Sequence, residues 1–206
     1  MTDRSAERAG RPDDLGALIR SRRAVREYLD REVPADLMRE ILEAGRWAPS
    51  PANRQPVRLV WVRDRAIKEQ LQALAIESKE LSAYWDPIFR PGGSSAFVND
   101  LLRPEVVAVV ADPAKSLTNV HADNGFEWAG AMAAYAMWLR AHSLGLGAIF
   151  VQHWITEKAK RILNVPLRWT FLGTLTVGYA ATAPEKDRLP FDEVVHLDRF
   201  RGEPHP

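Results

Sequence analysis

Arg22, Arg23 and Arg26 crowd into about one turn of backbone, and Lys186 and Arg188 form a second basic pair towards the other end of the chain. Held close together, such side chains grip a phosphate with charged donors, and a guanidinium fork does so with two parallel hydrogen bonds. Between them runs Ala48-Pro49-Ser50-Pro51-Ala52-Asn53-Arg54-Gln55-Pro56, where prolines on both sides of Ser50 restrict the backbone. A loop stiffened in this way holds its polar groups ready for a flat partner. Leu144-Gly145-Leu146-Gly147 follows an apolar stretch and supplies a glycine suited to end a helix. Taken singly, each basic group is more commonly solvated surface charge, and the proline-rich run an ordinary helix-to-strand connection.

Composition narrows the chemistry. The chain has 206 residues and no cysteine, which excludes disulfides, thiolate catalysis, zinc–thiolate sites and cysteine-ligated iron–sulfur clusters. Redox chemistry, if present, therefore falls to a bound organic cofactor. His121, His142, His153, His196 and His205 are scattered, and none shares a metal-ligand spacing with another on one helix face, so no metal site is expected. No Gly-x-Gly-x-x-Gly follows a strand, so a Rossmann nicotinamide domain is not indicated. A formal charge of +1, with 46% apolar and 27% charged residues, describes a globular chain without bulk attraction to nucleic acid. No segment approaches the roughly 20 apolar residues that span a bilayer. Met1 to Pro12 is polar, without the apolar core of a signal peptide, so a flexible tail and a cytoplasmic location are expected.

The elements that must position these groups follow from periodicity. Asp13 or Asp14 is placed to cap a first helix through Ser21, with Leu15, Leu18 and Ile19 on one face. Pro34-Ala35-Asp36 opens a second helix, carrying Leu37, Ile41 and Ala44 at helical spacing, that stops near Pro49. Val57–Val62 reads as a short strand, and a charged helix spans about 65–83. Residues 84–103 show no clean period; a loop of that length is a functional lid or a disordered segment. Glu105–Ala111 is nearly continuously apolar, as in a buried strand. A helix over 124–142 carries small residues on several faces and reads as central and buried. A strand at 148–151, a helix from Thr156 to about Leu163 capped by Thr156, and a strand over 169–179 follow. Past Pro184 no period is evident. One α+β domain over residues 13–206 is the economical reading, with residues 1–12 as a tail.

The order and spacing of these motifs resemble the nitroreductase family of flavoenzymes, over roughly residues 15–200. The family carries an Arg-Arg-Ser-Val-Arg type stretch whose first and last basic residues contact the FMN phosphate or ribityl chain; Arg22 and Arg26 match those positions, flanking Arg23 and Ala24. Ala24 stands where the family usually has serine, so one neutral hydrogen bond of about 1 kcal/mol is expected to be missing. Pro49, Ser50, Asn53 and Gln55 match an Ala-Pro-Ser turn and an Asn-x-Gln-Pro continuation, with Val57 in place of the usual tryptophan. Gly145-Leu146-Gly147 matches a Gly-Leu-Gly after the central helix, which would lay Phe150, Val151 and Gln152 beside the flavin. Lys186 and Arg188 match a C-terminal Lys-x-Arg that returns to the phosphate.

The resemblance implies a mixed or antiparallel sheet flanked by helices, in an intertwined homodimer with each FMN contacted by both subunits. Arg22 and Lys186–Arg188 would come from one chain and the Ser50 loop from the other. It implies a ping-pong reaction in which NAD(P)H reduces the flavin and a nitroaromatic, quinone or related planar acceptor reoxidises it, with no obligatory side-chain acid or base. Glu80, Tyr84, Trp85 and Phe89 are the candidates to cover the acceptor. Glu80 and Tyr84 resemble part of the lid of iodotyrosine deiodinases, a branch that also uses a lysine, but none lies between Lys79 and Lys115. Dehydrogenation of a biosynthetic substrate, or FMN binding without turnover, are the other readings. Glu127, early in the central helix, reads as structural.

Overall fold

The computed structural model describes residues 14–82, 100–116, 124–182, 184–185 and 187–200. Its sheet holds four strands, β1 (Val57–Val62), β2 (Glu105–Ala111), β3 (Gly147–Val151) and β4 (Thr170–Gly178), in the order β1-β2-β4-β3. Every neighbouring pair is antiparallel. The helices are α1 (Asp14–Ser21), α2 (Ala35–Arg46), α3 (Arg65–Ser82), α4 (Gly125–Ser143), α5 (Thr156–Ile162) and α6 (Phe191–Val194).

β2 shows why an uninterrupted apolar run becomes a central strand. Its side chains alternate between two cores: Val107 and Val109 join Met38 and Ile41 of α2 and Ala134 and Met137 of α4, whereas Ala108 and Val110 join Leu74 of α3 and Ala159 of α5. Both faces of the sheet are covered, so the strand has no polar side. Met38, Ile41, Met137 and Leu175 are fully buried. Truncating any one to alanine should cost about 2–5 kcal/mol. Buried Lys68 donates from Nζ to the Pro104 carbonyl at 2.8 Å, tying α3 to the entry of β2. Burial pulls its ammonium below the usual lysine range, against Glu105 and Asp100, which favour the charge.

Several local expectations need correction. Ile155, not Thr156, occupies the N-cap of α5; its N–H is taken by Ser78 Oγ at 3.1 Å, so a serine from α3 replaces a local cap. Leu15 and Ile19, on the apolar face read for α1, are 63% and 43% exposed. α6 is a single turn that no sequence period announced.

Candidate functional site

Beyond α1 the chain runs along the outer edge of β3. Ala24 forms a parallel bridge to Ala148, with Val25 N–H donating to the Ala148 carbonyl at 3.1 Å, and Tyr28 bridges to Ala180. Val25 and Tyr28 are the buried anchors of this segment. The Tyr28 hydroxyl donates to the Val25 carbonyl at 2.9 Å and lies 2.8 Å from Thr176 Oγ1. Burial pushes that phenol well above its ordinary range. The Gly145-x-Gly147 motif performs two separate jobs here. Gly145 ends α4 with φ +77°, a conformation that favours glycine. At Gly147 an added Cβ would lie 2.6 Å from Val25, so only glycine lets residues 24–25 reach the strand.

The three arginines differ in what they touch. The Arg22 guanidinium lies 4.1 Å from the centroid of the Trp138 ring and 5.8 Å from that of Tyr135. Its Nε is buried and finds no hydrogen-bond acceptor among the described residues. Arg23 turns back on its own helix, donating from Nη1 to the carbonyls of Arg20 at 2.7 Å and Arg22 at 3.0 Å. Arg26, half-buried, donates to the Ala24 carbonyl at 3.0 Å. On α4, Trp138 Nε1–H donates to the Arg23 carbonyl at 3.3 Å, and His142 Nε2 lies 2.8 Å from Ser21 Oγ. Burial, then Arg22 and Arg23, hold the His142 imidazole below the ordinary histidine range. A cavity of about 220 Å³ lies here, between Arg23, Trp138, His142 and Gly147.

The Ser50 loop leaves α2 at Trp47 and folds into a 3₁₀ turn at Pro51–Asn53. Ser50 Oγ accepts the Gln55 N–H at 2.9 Å, so the hydroxyl fastens the loop to itself. Gln55 Nε2 donates to Asn53 Oδ1 at 3.2 Å. Ala52, Asn53 and Gln55 take φ of 47°, 53° and 50°. Left-handed backbone costs non-glycine residues about 1–2 kcal/mol each, less for asparagine, and such outliers cluster at functional sites. A cavity of about 510 Å³ opens beside the loop, over Leu42, Gly45, Leu59 and Ala133. On its rim, hydrogen bonds from Arg46 and then Trp47 hold the exposed Glu43 carboxyl down to about 2.

These two groups stand apart within one chain. β1, which continues from the Ser50 loop, and β3, which carries the Arg22 segment, are opposite edges of the sheet, three strand spacings or about 14 Å apart. Pro51 packs on Gly125 at the start of α4, whereas Arg22 sits over Trp138, about 20 Å further along at a rise of about 1.5 Å per residue. Phe150 and Val151 lie half-buried on β3, with Gln152 exposed just past it. Arg188 is exposed, beyond a segment zipped to the arginine stretch by Ala181 N–H donating to the Glu27 carbonyl at 2.9 Å. Glu80 and Glu127 are exposed on their helices. Lys186, Tyr84, Trp85 and Phe89 lie outside the described residues. Trp138, Tyr135 and His142 were not singled out from the sequence as site residues, although they share one face of α4 at i, i+3 and i+7.

Comparison with known proteins identifies the family. The family model described as "Nitroreductase family" matches residues 19–179. An NADH dehydrogenase of Thermus thermophilus is 30% identical, over 84% of this chain and 91% of that one. A nitroreductase-type structure from Desulfovibrio desulfuricans in complex with FMN is 26% identical, with a TM-score of 0.71 over 95% of this chain and all of that one. An iodotyrosine deiodinase structure with FMN and 3-iodo-L-tyrosine, 21% identical over 90% of this chain and all of that one, shares the fold at a TM-score of 0.75. The chain belongs to the nitroreductase family.

Proposed function

We propose that this chain is an FMN-dependent oxidoreductase that uses NAD(P)H to reduce nitroaromatic, quinone or related planar acceptors. The observation that carries the reading is the buried Arg22 Nε without an acceptor, next to half-buried Arg26 on the edge of β3. A buried donor left unpaired costs about 1–3 kcal/mol, and a phosphate oxygen would satisfy it. The described donors therefore fit FMN: Arg22, Arg26 and Arg188 would hold the phosphate and ribityl end, where the resemblance also puts Lys186, and Phe150–Gln152 would flank the ring. When bound, FMN would supply the two-electron redox chemistry between NAD(P)H and the acceptor. The protein's own part is to bind, orient and shield, and no side chain is assigned as acid or base.

The active unit is a homodimer. The Ser50 loop leads into the sheet edge opposite the one that carries Arg22 and Phe150–Gln152 in its own chain, so a second copy is proposed to supply the loop. Two apolar surfaces support this. On α4, Trp128 and Tyr135 are 55% and 40% exposed along one stripe with exposed Ala131. Towards the C-terminus Phe191, Leu197 and Phe200 are exposed, with Phe200 edge-on to His196 at 4.6 Å between ring centroids. Patches of this kind mark association surfaces, and a two-fold axis would cover both copies at once. No helix among the described residues is long and apolar enough to cross a membrane. The electron donor is a cytoplasmic metabolite, and the cytoplasm is the compartment proposed.

The test is to add NADH or NADPH to the yellow protein without oxygen. Bleaching of the flavin band, and its return on adding a quinone or nitroaromatic, is expected. Bound FMN that neither nucleotide bleaches would make the chain a binding protein without turnover.

A further inference from the structure

Arg22 and Arg23 are adjacent, equally charged and both half-buried, yet their guanidinium groups are satisfied in opposite ways. Arg23 is held by two main-chain carbonyls, as a structural arginine is. Arg22 is held by aromatic faces, Trp138 above all, at 4.1 Å from the ring centroid. A ring face balances the positive charge but accepts few of the N–H groups, which leaves hydrogen-bonding capacity for a ligand. Trp138 makes a second contact to the same stretch, its indole N–H donating to the Arg23 carbonyl at 3.3 Å. Ring and N–H together fix both the main chain after Arg22 and the direction of its side chain. One turn further along α4, His142 meets Ser21 on the other side of Arg22.

We propose that Trp138 is the positioning residue that aims Arg22 at the phosphate of FMN. The inference rests on the flavin reading above and adds a residue that acts through Arg22. It also predicts a specificity: Trp138 should matter for flavin carrying a phosphate and not for flavin without one.

The experiment measures the affinity of the full chain, stripped of flavin, for FMN and for riboflavin. The variants are Trp138→Phe, which keeps a ring and loses the N–H, Trp138→Leu, which loses both, and Arg22→Ala. Trp138→Leu is expected to weaken FMN binding by about tenfold and leave riboflavin binding unchanged, with Trp138→Phe in between. In the Arg22→Ala background, Trp138→Leu should weaken FMN no further. Equal weakening of FMN and riboflavin would make Trp138 an ordinary packing residue and overturn the proposal, as would unchanged FMN affinity in Trp138→Leu. If the unaltered chain binds FMN no better than riboflavin, the phosphate site fails and this inference with it. A preference for FMN that survives both Trp138 variants overturns only the inference. Should Trp138→Leu fail to fold, the Trp138→Phe comparison decides.

Discussion

At positions 22 and 23, two arginine side chains meet different surroundings, and their removal should read out differently. Arg22→Ala should weaken FMN binding by roughly ten- to a hundredfold, the value of one or two charged hydrogen bonds, while circular dichroism stays unchanged. Arg23 closes the carbonyl end of α1, so Arg23→Ala should lower thermal stability by about 1 kcal/mol and leave FMN affinity nearly intact. Equal loss of flavin in both would contradict the division of labour. The sequence grouped these residues because spacing reports proximity along the chain. It does not report the rotamer that turns Arg23 back on its helix. Trp138 escaped for the complementary reason: α4 is apolar on nearly every face, so one tryptophan stands out only when Arg22 is seen over it.

Among the elements, strands and helices with a strong period were legible nearly to the residue. Val57–Val62 and Glu105–Ala111 match the expected strands, because β-branched runs bounded by prolines and charges have few alternatives. What failed were features made by tertiary partners, such as the Ser78 cap of α5 and the bridge of Ala24 to Ala148. Both glycines after α4 were read together, yet they should behave differently. Gly145→Ala meets no neighbour within 4 Å and should cost only the left-handed backbone, about 1 kcal/mol. Gly147→Ala drives into Val25 and should cost about 1–3 kcal/mol and release flavin as the arginine segment shifts. The contact of α1 with α4 carries a pH signature. His142 is harder to protonate folded than unfolded, so the unfolded chain binds the proton first. Stability should be full above the ordinary value of 6.5 and decline as pH falls below it. His142→Asn should flatten that decline in melts taken across pH 5 to 8.

For the whole molecule, the decisive feature is that the two residue groups proposed to share one FMN sit at opposite edges of the sheet in the same chain. The resemblance already implied that the two groups come from different chains, whereas their spacing within one chain depends on strand order and on the length of α4, which no motif reports. Charging the exposed stripe of α4 should therefore undo assembly and cofactor binding together. Trp128→Glu is expected to elute as a monomer in light-scattering chromatography and to lose FMN, although its ring is far from Arg22 along the helix. A monomer that keeps FMN would contradict the shared site. The most direct measurement is the visible spectrum of the purified protein, with the released flavin identified and counted. Oxidised-flavin bands, with FMN at about one per chain in a dimer, are predicted; a colourless protein that takes up no added FMN would contradict the central claim.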